Sequence, residues 1–217
     1  MNATAQLVTV GDVQLAGDVT VPESAVGVVL FAHGSGSSRH SPRNRAVAEA
    51  FQRHGLATVL IDLLTTDEER LDALTRQWRF DIALLAGRLA GTIDWIRAEP
   101  TLTGLPIGLF GASTGAAAAL VAAAQRPTDV RTVVSRGGRP DLAGAALPDV
   151  AAPTLFIVGA LDAPVLELNR QAAAAMTAPT QLRIVPGATH LFEEPGTLEQ
   201  VTVLASDWFG QHLGARR

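Results

Sequence analysis

Short apolar runs alternate with helical segments along this chain, and this alternation restricts the fold more than any other feature. Eight runs have the character of strands, at residues 6–10, 13–21, 27–33, 57–63, 106–110, 130–135, 154–159 and 181–186. Helical patterns fall between and after them, at residues 41–55, 67–98, 114–125, 164–176 and 197–213. Strands that alternate with helices predict a mainly parallel sheet with helices on both faces.

The ends and connections of this sheet can also be predicted. The first two runs flank Gly11-Asp12, which indicates a hairpin at one edge of an eight-stranded sheet. Only 18 residues, 136–153, separate the sixth strand from the seventh, so no large lid is expected there. No linker or repeat divides the chain, and we therefore expect an α/β fold with one domain at residues 1–217.

Composition excludes several kinds of site and partner. The chain has no cysteine, which rules out thiolate catalysis and cysteine-based zinc sites. Its basic residues are dispersed arginines in a chain of net charge −4, which makes nucleic acid an unexpected partner. We find no signal peptide, and the longest purely apolar run is much shorter than the roughly 20 residues that span a bilayer. A cytoplasmic protein without a membrane partner is expected, and monomer and homodimer remain open.

A single serine lies between two glycines where the fifth strand meets the next helix. Residues 111–115, Gly-Ala-Ser-Thr-Gly, match the pattern G-x-S-x-G, a sharp turn that lifts a serine above the sheet. Side chains at positions 111 and 115 would collide with the neighbouring strand and helix. A structural turn explains the same residues, but ligands of such sheets bind beyond the carboxyl ends of the strands. We therefore predict that Ser113 is a nucleophile.

A serine hydroxyl needs a base that takes its proton and an acid that orients the base. His190 lies just past the last strand, at the end of the sheet where Ser113 is expected; a surface loop is its structural alternative. Asp162 follows the seventh strand and could instead cap a helix, with Asp62 and Asp141 as substitutes for the acid. The order Ser113, Asp162, His190 is that of nucleophile, acid and base in the α/β-hydrolase fold.

Acyl transfer also needs N–H donors for the oxyanion that develops on the substrate. One is expected from the main chain of Thr114, at the start of the helix after the nucleophile. The second is expected from the loop HGSGSSRHSPRN, residues 33–44, where we assign Ser35 and keep Gly36 as the alternative. His33 is expected to brace this loop, and a flexible Gly/Ser loop is the structural alternative for the whole segment.

Four motifs in order, HGSGSS, GASTG, VGALD and GATHLF, carry a resemblance to α/β-hydrolases over nearly the whole chain. Among these the chain resembles the small dienelactone-hydrolase-like members. The resemblance implies hydrolysis of a small-molecule ester through an acyl-enzyme, with no metal and no organic cofactor. Dienelactone hydrolases proper use a cysteine nucleophile, whereas this chain has Ser113. Serine-bearing relatives are generally carboxylesterases or thioesterases, so a small carboxylic ester is the expected substrate.

Three arginines are candidates for substrate binding. Arg136 directly follows the sixth strand, and Arg39 lies near the expected oxyanion loop, as does Arg43. A guanidinium there could bind a substrate carboxylate in a forked pair, while a salt bridge to Asp141 or a solvated arginine is the structural alternative. An acyltransferase or thioesterase with the same three residues is an alternative function, and a non-catalytic binding protein on the same scaffold is another.

Overall fold

A computed structural model describes residues 3–214, and its eight strands form one sheet. The strands are β1 (Thr4–Val10), β2 (Val13–Thr20), β3 (Gly27–Ala32), β4 (Leu56–Ile61), β5 (Ile107–Ala112), β6 (Val130–Arg136), β7 (Thr154–Gly159) and β8 (Thr180–Val185). The helices are α1 (Pro42–Arg53), α2 (Thr66–Thr75), α3 (Ile82–Ala98), α4 (Thr114–Gln125), α5 (Ala163–Ala175) and α6 (Thr197–Leu213).

The order of the strands is β1-β2-β4-β3-β5-β6-β7-β8. β1 and β2 form an antiparallel hairpin at one edge, and β2 also pairs antiparallel with β4. Every other pair is parallel. The predicted eight-stranded, mainly parallel sheet with an edge hairpin is therefore confirmed.

The core lies on both faces of the sheet. β3, β4, β5 and β7 are buried along their whole length, as their continuous apolar runs predict. One face packs against α1 and α6 through a cluster of phenylalanines, which includes Phe31, Phe51, Phe110 and Phe209. The other face packs against α3, α4 and α5. The alanines of α4 are small enough to let this helix lie close to the sheet.

The structure divides the predicted helix 67–98 into two. After α2, Arg76 adopts a left-handed backbone with φ of 57°, and α3 begins only at residue 82. The Asp72 carboxylate holds the turn between them, because it accepts hydrogen bonds from the N–H groups of Trp78 (2.7 Å) and Arg79 (3.0 Å). A side-chain acceptor that competes for backbone donors leaves no mark in helical periodicity, which is why the sequence did not predict the break.

No large lid covers the carboxyl end of the sheet among the described residues. The segment between β6 and β7 folds as an irregular 3₁₀ stretch, Pro140–Asp149, which packs against α4. A longer excursion, residues 62–81, follows β4 and includes α2. Within residues 3–214, none of the helices combines the length and apolar character that a membrane crossing requires.

Candidate active site

Ser113 occupies a strained turn between β5 and α4. Its φ is 51° and its ψ is −121°, a region that residues with a side chain rarely occupy. Strain of about 1–3 kcal/mol is typical of such positions. Two glycines permit the turn: a Cβ at Gly111 would lie 2.4 Å from Ala116 Cα, and a Cβ at Gly115 would lie 2.3 Å from the Ala32 carbonyl oxygen.

Main-chain hydrogen bonds hold this turn in place. The Ser113 N–H donates to the Arg136 carbonyl at 3.2 Å, which ties the turn to the end of β6. The Ser113 carbonyl accepts from the N–H groups of Ala116 and Arg139, each at 3.1 Å. The Ser113 side chain makes no capping hydrogen bond to α4 and is available for other partners.

The structure brings the three predicted residues of the triad together. His190 Nε2 lies 3.3 Å from Ser113 Oγ, and His190 Nδ1 lies 2.6 Å from Asp162 Oδ2. An ionised carboxylate only accepts, so Nδ1–H donates to Asp162 and Nε2 is left to accept the Ser113 hydroxyl proton. A Ser–His distance of this length is usual in a site without substrate, where such contacts are often loose.

Glycine at the end of β7 allows the loops that carry Asp162 and His190 to meet. A Cβ at Gly159 would lie 2.3 Å from the carbonyl oxygen of Ala188, so the loop after β8 packs directly on the β7 backbone. The Asp162 N–H donates to the Gly159 carbonyl at 3.1 Å. The Asp162 side chain is 13% exposed and that of His190 is 37% exposed, so the imidazole can be reached from solvent.

The two substitute acids are engaged elsewhere. Asp62 accepts hydrogen bonds from the main chain and the guanidinium of Arg39. Asp141 forms a forked pair with Arg139, at 2.8 and 2.7 Å. Of the three candidate acids, Asp162 is the one in contact with His190.

The loop after β3 lies against Ser113, but the Ser35 N–H in this loop already has a hydrogen-bond acceptor. A Cβ at Gly34 would lie 3.2 Å from Ser113 Cβ, which measures how closely the loop approaches. The Ser35 N–H donates to Thr114 Oγ1 at 2.8 Å. Thr114 is the first residue of α4, so its own main-chain N–H has no acceptor within the helix. The Thr114 N–H thus has no partner within the helix, whereas the Ser35 N–H is already bonded to the Thr114 hydroxyl.

His33 braces this loop, as the sequence predicted. Its Nε2 accepts the Leu63 N–H at 3.1 Å, which fixes Nδ1 as the protonated nitrogen that donates to the Gly34 carbonyl at 2.9 Å. Burial lowers the pKa of His33 below its usual 6.5, so the ring is neutral at neutral pH. Gly36, the alternative donor, has a φ of 69°. It lies in a turn that is closed by a hydrogen bond from the Ser37 N–H to the Gly34 carbonyl.

The structure places two of the candidate arginines, Arg39 and Arg136, in different surroundings. Arg39 is neutralised, because it contacts both Asp62 and Asp18. Arg136 is 8% exposed and lies over the Phe110 ring, with 5.9 Å between Cζ and the ring centroid. The salt bridge from Arg136 to Asp141, given above as a structural alternative, does not form, because Asp141 binds Arg139 instead.

The Arg136 charge is unpaired among residues 3–214. Its Nη1 is buried and has no hydrogen-bond partner there. Burial lowers the pKa of Arg136 to about 10, and the nearby charge of Arg43 contributes in the same direction. Arg136 nevertheless remains protonated at neutral pH, and the active-site end of β6 therefore holds a desolvated positive charge.

A cavity of about 300 Å³ opens beside the loop after β3. Ser35 and Thr114 contribute to one wall, and the end of β4, α2 and Arg79 contribute to the others. Arg79 binds Asp72 through Nε (2.7 Å) and Nη2 (2.8 Å), while its Nη1 would lie 3.8 Å from a Cβ at Gly36. A small group with polar atoms fits such a cavity.

Sequence reasoning missed two features of this site. No sequence motif indicates a role for the Thr114 hydroxyl, although Thr114 is the one residue of the alanine-rich α4 that carries a hydroxyl. Arg79 was also missed, because its position depends on the break between α2 and α3, for which the sequence offers no signal.

Comparison with known families matches residues 15–211 to the dienelactone hydrolase family. Among solved structures, a dienelactone hydrolase from Anabaena variabilis is 57% identical, with a TM-score of 0.96 over 97% of this chain and 98% of that one. Est1E from Butyrivibrio proteoclasticus is 15% identical, with a TM-score of 0.80 over 96% of this chain and 98% of that one. The second likeness concerns the fold alone.

Two curated relatives come from strains of Mycobacterium tuberculosis and carry the provisional name phosphoribosyl transferase. Each is 60% identical over 206 residues, which is 95% of this chain and 46% of the relative. The chain thus spans about half the length of these relatives.

Proposed function

The chain belongs to the dienelactone hydrolase family, and from that premise we propose that it hydrolyses small carboxylic esters through an acyl-enzyme on Ser113. The observation that carries this proposal is the continuous contact from Ser113 Oγ through the His190 ring to the Asp162 carboxylate. The strained backbone at Ser113 supports the same role, because strain of this kind collects at functional sites.

The proposed reaction has two halves, the formation of the acyl-enzyme and its hydrolysis, and the triad acts in both. His190 Nε2 takes the hydroxyl proton as Ser113 Oγ attacks the ester carbonyl, and the carbonyl electron pair moves onto oxygen. The tetrahedral intermediate collapses, the bond to the alkoxy oxygen breaks, and His190 returns the proton to the leaving alcohol. Water then attacks the acyl-enzyme as His190 Nε2 takes its proton, the bond from the acyl carbon to Ser113 Oγ breaks, Ser113 Oγ receives that proton and the carboxylic acid leaves. Asp162 holds the ring and stabilises its protonated form in both halves.

The surroundings of the site support a small ester. The cavity beside Thr114 has a volume of about 300 Å³ and a partly charged lining. Ser113 stands where dienelactone hydrolases proper have cysteine, and this difference favours simple carboxylic esters over dienelactone. An oxygen nucleophile of this kind is typical of esterases with a Ser-His-Asp triad.

The name phosphoribosyl transferase does not enter this proposal. That name belongs to whole proteins, and this chain matches only 46% of the length of each of them. The groups around Ser113 are joined as nucleophile, base and acid, which is a set suited to acyl transfer.

Acyl transfer to an acceptor other than water is the second candidate. The His190 side chain is 37% exposed, so an alcohol, amine or thiol could approach the acyl-enzyme from solvent. Adding an alcohol acceptor during turnover and measuring the new ester against the free acid separates the two functions. Hydrolysis predicts that free acid dominates at low acceptor concentration.

The test of the main proposal compares wild type with Ser113→Ala and His190→Ala on nitrophenyl acetate and butyrate. Loss of the nucleophile or base in a triad can lower turnover by about a millionfold, so both variants should fall to the background rate. Ser206→Ala, a serine of α6 on the other side of the fold, is the matched control and should retain wild-type rates. Equal rates in wild type and a folded Ser113→Ala variant would exclude the proposal.

A further inference from the structure

The Thr114 hydroxyl engages the Ser35 N–H, which was expected to be the second oxyanion donor. Its Oγ1 accepts the Ser35 N–H at 2.8 Å, and Thr114 is only 3% exposed. Both residues line the cavity that opens beside the loop after β3. A buried hydroxyl that binds this loop, on the residue directly after the nucleophile, therefore needs an explanation.

Counting donors and acceptors limits what this hydroxyl can do. A threonine hydroxyl offers one proton and two lone pairs. The Ser35 N–H uses one lone pair, which leaves the proton of Thr114 Oγ1 to be donated. No acceptor for that proton is found among residues 3–214. A substrate oxygen in the adjoining cavity would supply one.

We propose that Thr114 provides both donors of the oxyanion hole, its main-chain N–H and its side-chain O–H. The Ser35 N–H then acts through the hydroxyl rather than on the substrate directly. Hydrogen bonds in such a chain polarise one another, so the bond from Ser35 strengthens the donation from Thr114 Oγ1. This inference rests on the proposed function, because it concerns the oxyanion formed on attack by Ser113.

The chemical step can be written with all atoms accounted for. As Ser113 Oγ bonds to the carbonyl carbon, its proton goes to His190 Nε2 and the π electrons go to the carbonyl oxygen. That oxygen accepts hydrogen bonds from Thr114 N–H and Thr114 Oγ1–H, without transfer of either proton. When the leaving alcohol departs, the carbonyl double bond reforms and both bonds weaken. The two donors therefore stabilise the charged intermediate more than the bound ester.

The rigid position of Thr114 favours this role. It is the first residue of α4, where the strained turn of Ser113 and the close approach of Gly115 to β3 fix the backbone. A β-branched side chain has restricted χ1 freedom, and the bond from Ser35 restricts it further. Donors that are already oriented need no reorganisation as charge develops, which is the condition for effective oxyanion stabilisation.

The test replaces Thr114 in two ways. Thr114→Val keeps the shape of the side chain and removes the hydroxyl, whereas Thr114→Ser keeps the hydroxyl. Thr114→Ala removes the hydroxyl in a helix already rich in alanine, and it serves if valine prevents folding. Thr92→Val is the matched control, because Thr92 is a buried helical threonine in α3 whose hydroxyl bonds to the Arg88 carbonyl.

We expect the variants without the hydroxyl to lose turnover rather than substrate affinity. Removal of one oxyanion donor lowers kcat by about 10²–10³-fold in comparable enzymes, and we expect this for Thr114→Val with little change in KM. Thr92→Val should remain close to wild type, and Thr114→Ser, which keeps the hydroxyl, should lose less turnover than Thr114→Val. A trifluoromethyl ketone analogue of the ester forms the same oxyanion on Ser113, and its affinity should fall in parallel with kcat/KM.

Two outcomes would overturn the inference. If Thr114→Val or Thr114→Ala keeps or exceeds wild-type turnover, the hydroxyl only occupies the Ser35 N–H, and that N–H is the direct donor once it is free. If KM rises while kcat holds, the hydroxyl binds the ground state. Labelling of wild type with a fluorophosphonate separates this failure from that of the proposed function: labelled Ser113 supports the nucleophile, and absence of labelling contradicts both proposals.

Discussion

Glycine is required at position 115 because of the limited space around it rather than because of its backbone conformation. A Cβ at this position would lie 2.3 Å from the Ala32 carbonyl oxygen and 2.4 Å from that of His33. Neither oxygen can move without shifting the end of β3. We therefore expect Gly115→Ala to lower the free energy of unfolding by about 1–3 kcal/mol, as overpacked sites do, and to lower esterase activity by displacing Ser113.

The control for this prediction is Gly87→Ala. Gly87 lies on the exposed side of α3, and no atom lies within 4 Å of a Cβ built there. Alanine should raise the free energy of unfolding at this position by about 0.5–1 kcal/mol, because it favours the helix. Urea unfolding of both variants measures the two effects, and a stable, active Gly115→Ala protein would contradict the packing argument.

Arg136 is a residue whose buried charge is expected to lower the stability of the fold. Its guanidinium is buried beside Phe110 and is unpaired among residues 3–214. Replacement by methionine removes the desolvated charge and should raise the free energy of unfolding by about 1–3 kcal/mol. The measurement is urea unfolding of wild type and Arg136→Met at neutral pH. A loss of stability would contradict the argument that the desolvated charge destabilises the fold.

At the scale of elements, the loop after β3 depends on the neutral form of His33. Its Nε2 accepts the Leu63 N–H, and protonation would replace this hydrogen bond with a clash of two N–H groups. Burial lowers the pKa of His33 below 6.5 in the folded chain. Below pH 6.5 the unfolded chain thus binds a proton that the folded chain does not. The contribution of neutral His33 to stability is complete above pH 6.5 and declines as pH falls below it.

His33→Gln tests this dependence, because the glutamine carbonyl can accept from Leu63 without titrating. We expect the free energy of unfolding to fall more steeply for wild type than for His33→Gln between about pH 8 and about pH 5.5. Urea unfolding at several pH values gives both slopes. Parallel slopes would mean that His33 does not control the acid stability of the loop.

The same scale shows why most elements could be predicted and one could not. β3, β4, β5 and β7 are buried on both faces, so their sequences are continuous apolar runs that identify strands directly. The break between α2 and α3 depends on the Asp72 carboxylate, which binds main-chain N–H groups six and seven residues later. No local periodicity records such a contact.

At the scale of the whole molecule, topology explains why the site could be predicted in outline. Parallel strands present their carboxyl ends at one edge of the sheet, so Ser113, Asp162 and His190 meet once their strands are ordered. The contact of 2.8 Å between the Ser35 N–H and Thr114 Oγ1 depends instead on one side-chain rotamer and on how closely the loop after β3 approaches α4. Sequence patterns therefore predict that the triad residues converge, but they do not predict a single side-chain contact such as this one.

The carboxyl end of the sheet, where Ser113 lies, has no large lid among the described residues, and this leads to a prediction about substrate size. Pro140–Asp149 packs on α4 rather than over Ser113, and the adjoining cavity holds about 300 Å³. A site without a lid should act on dissolved ester and gain nothing from dispersed ester, whereas a lid that opens at an interface makes the rate rise beyond the solubility limit. We expect kcat/KM to be higher for nitrophenyl acetate and butyrate than for the octanoate.

Initial rates of wild type on the three esters, followed through the solubility limit of the longest, measure both properties. The rate should level off at that limit, because no further dissolved ester becomes available to an uncovered site. Ser113→Ala under the same conditions corrects for hydrolysis by the solution. A rise beyond the limit would mean that the excursion at residues 62–81, which forms part of the cavity wall, closes over the site and opens at an interface.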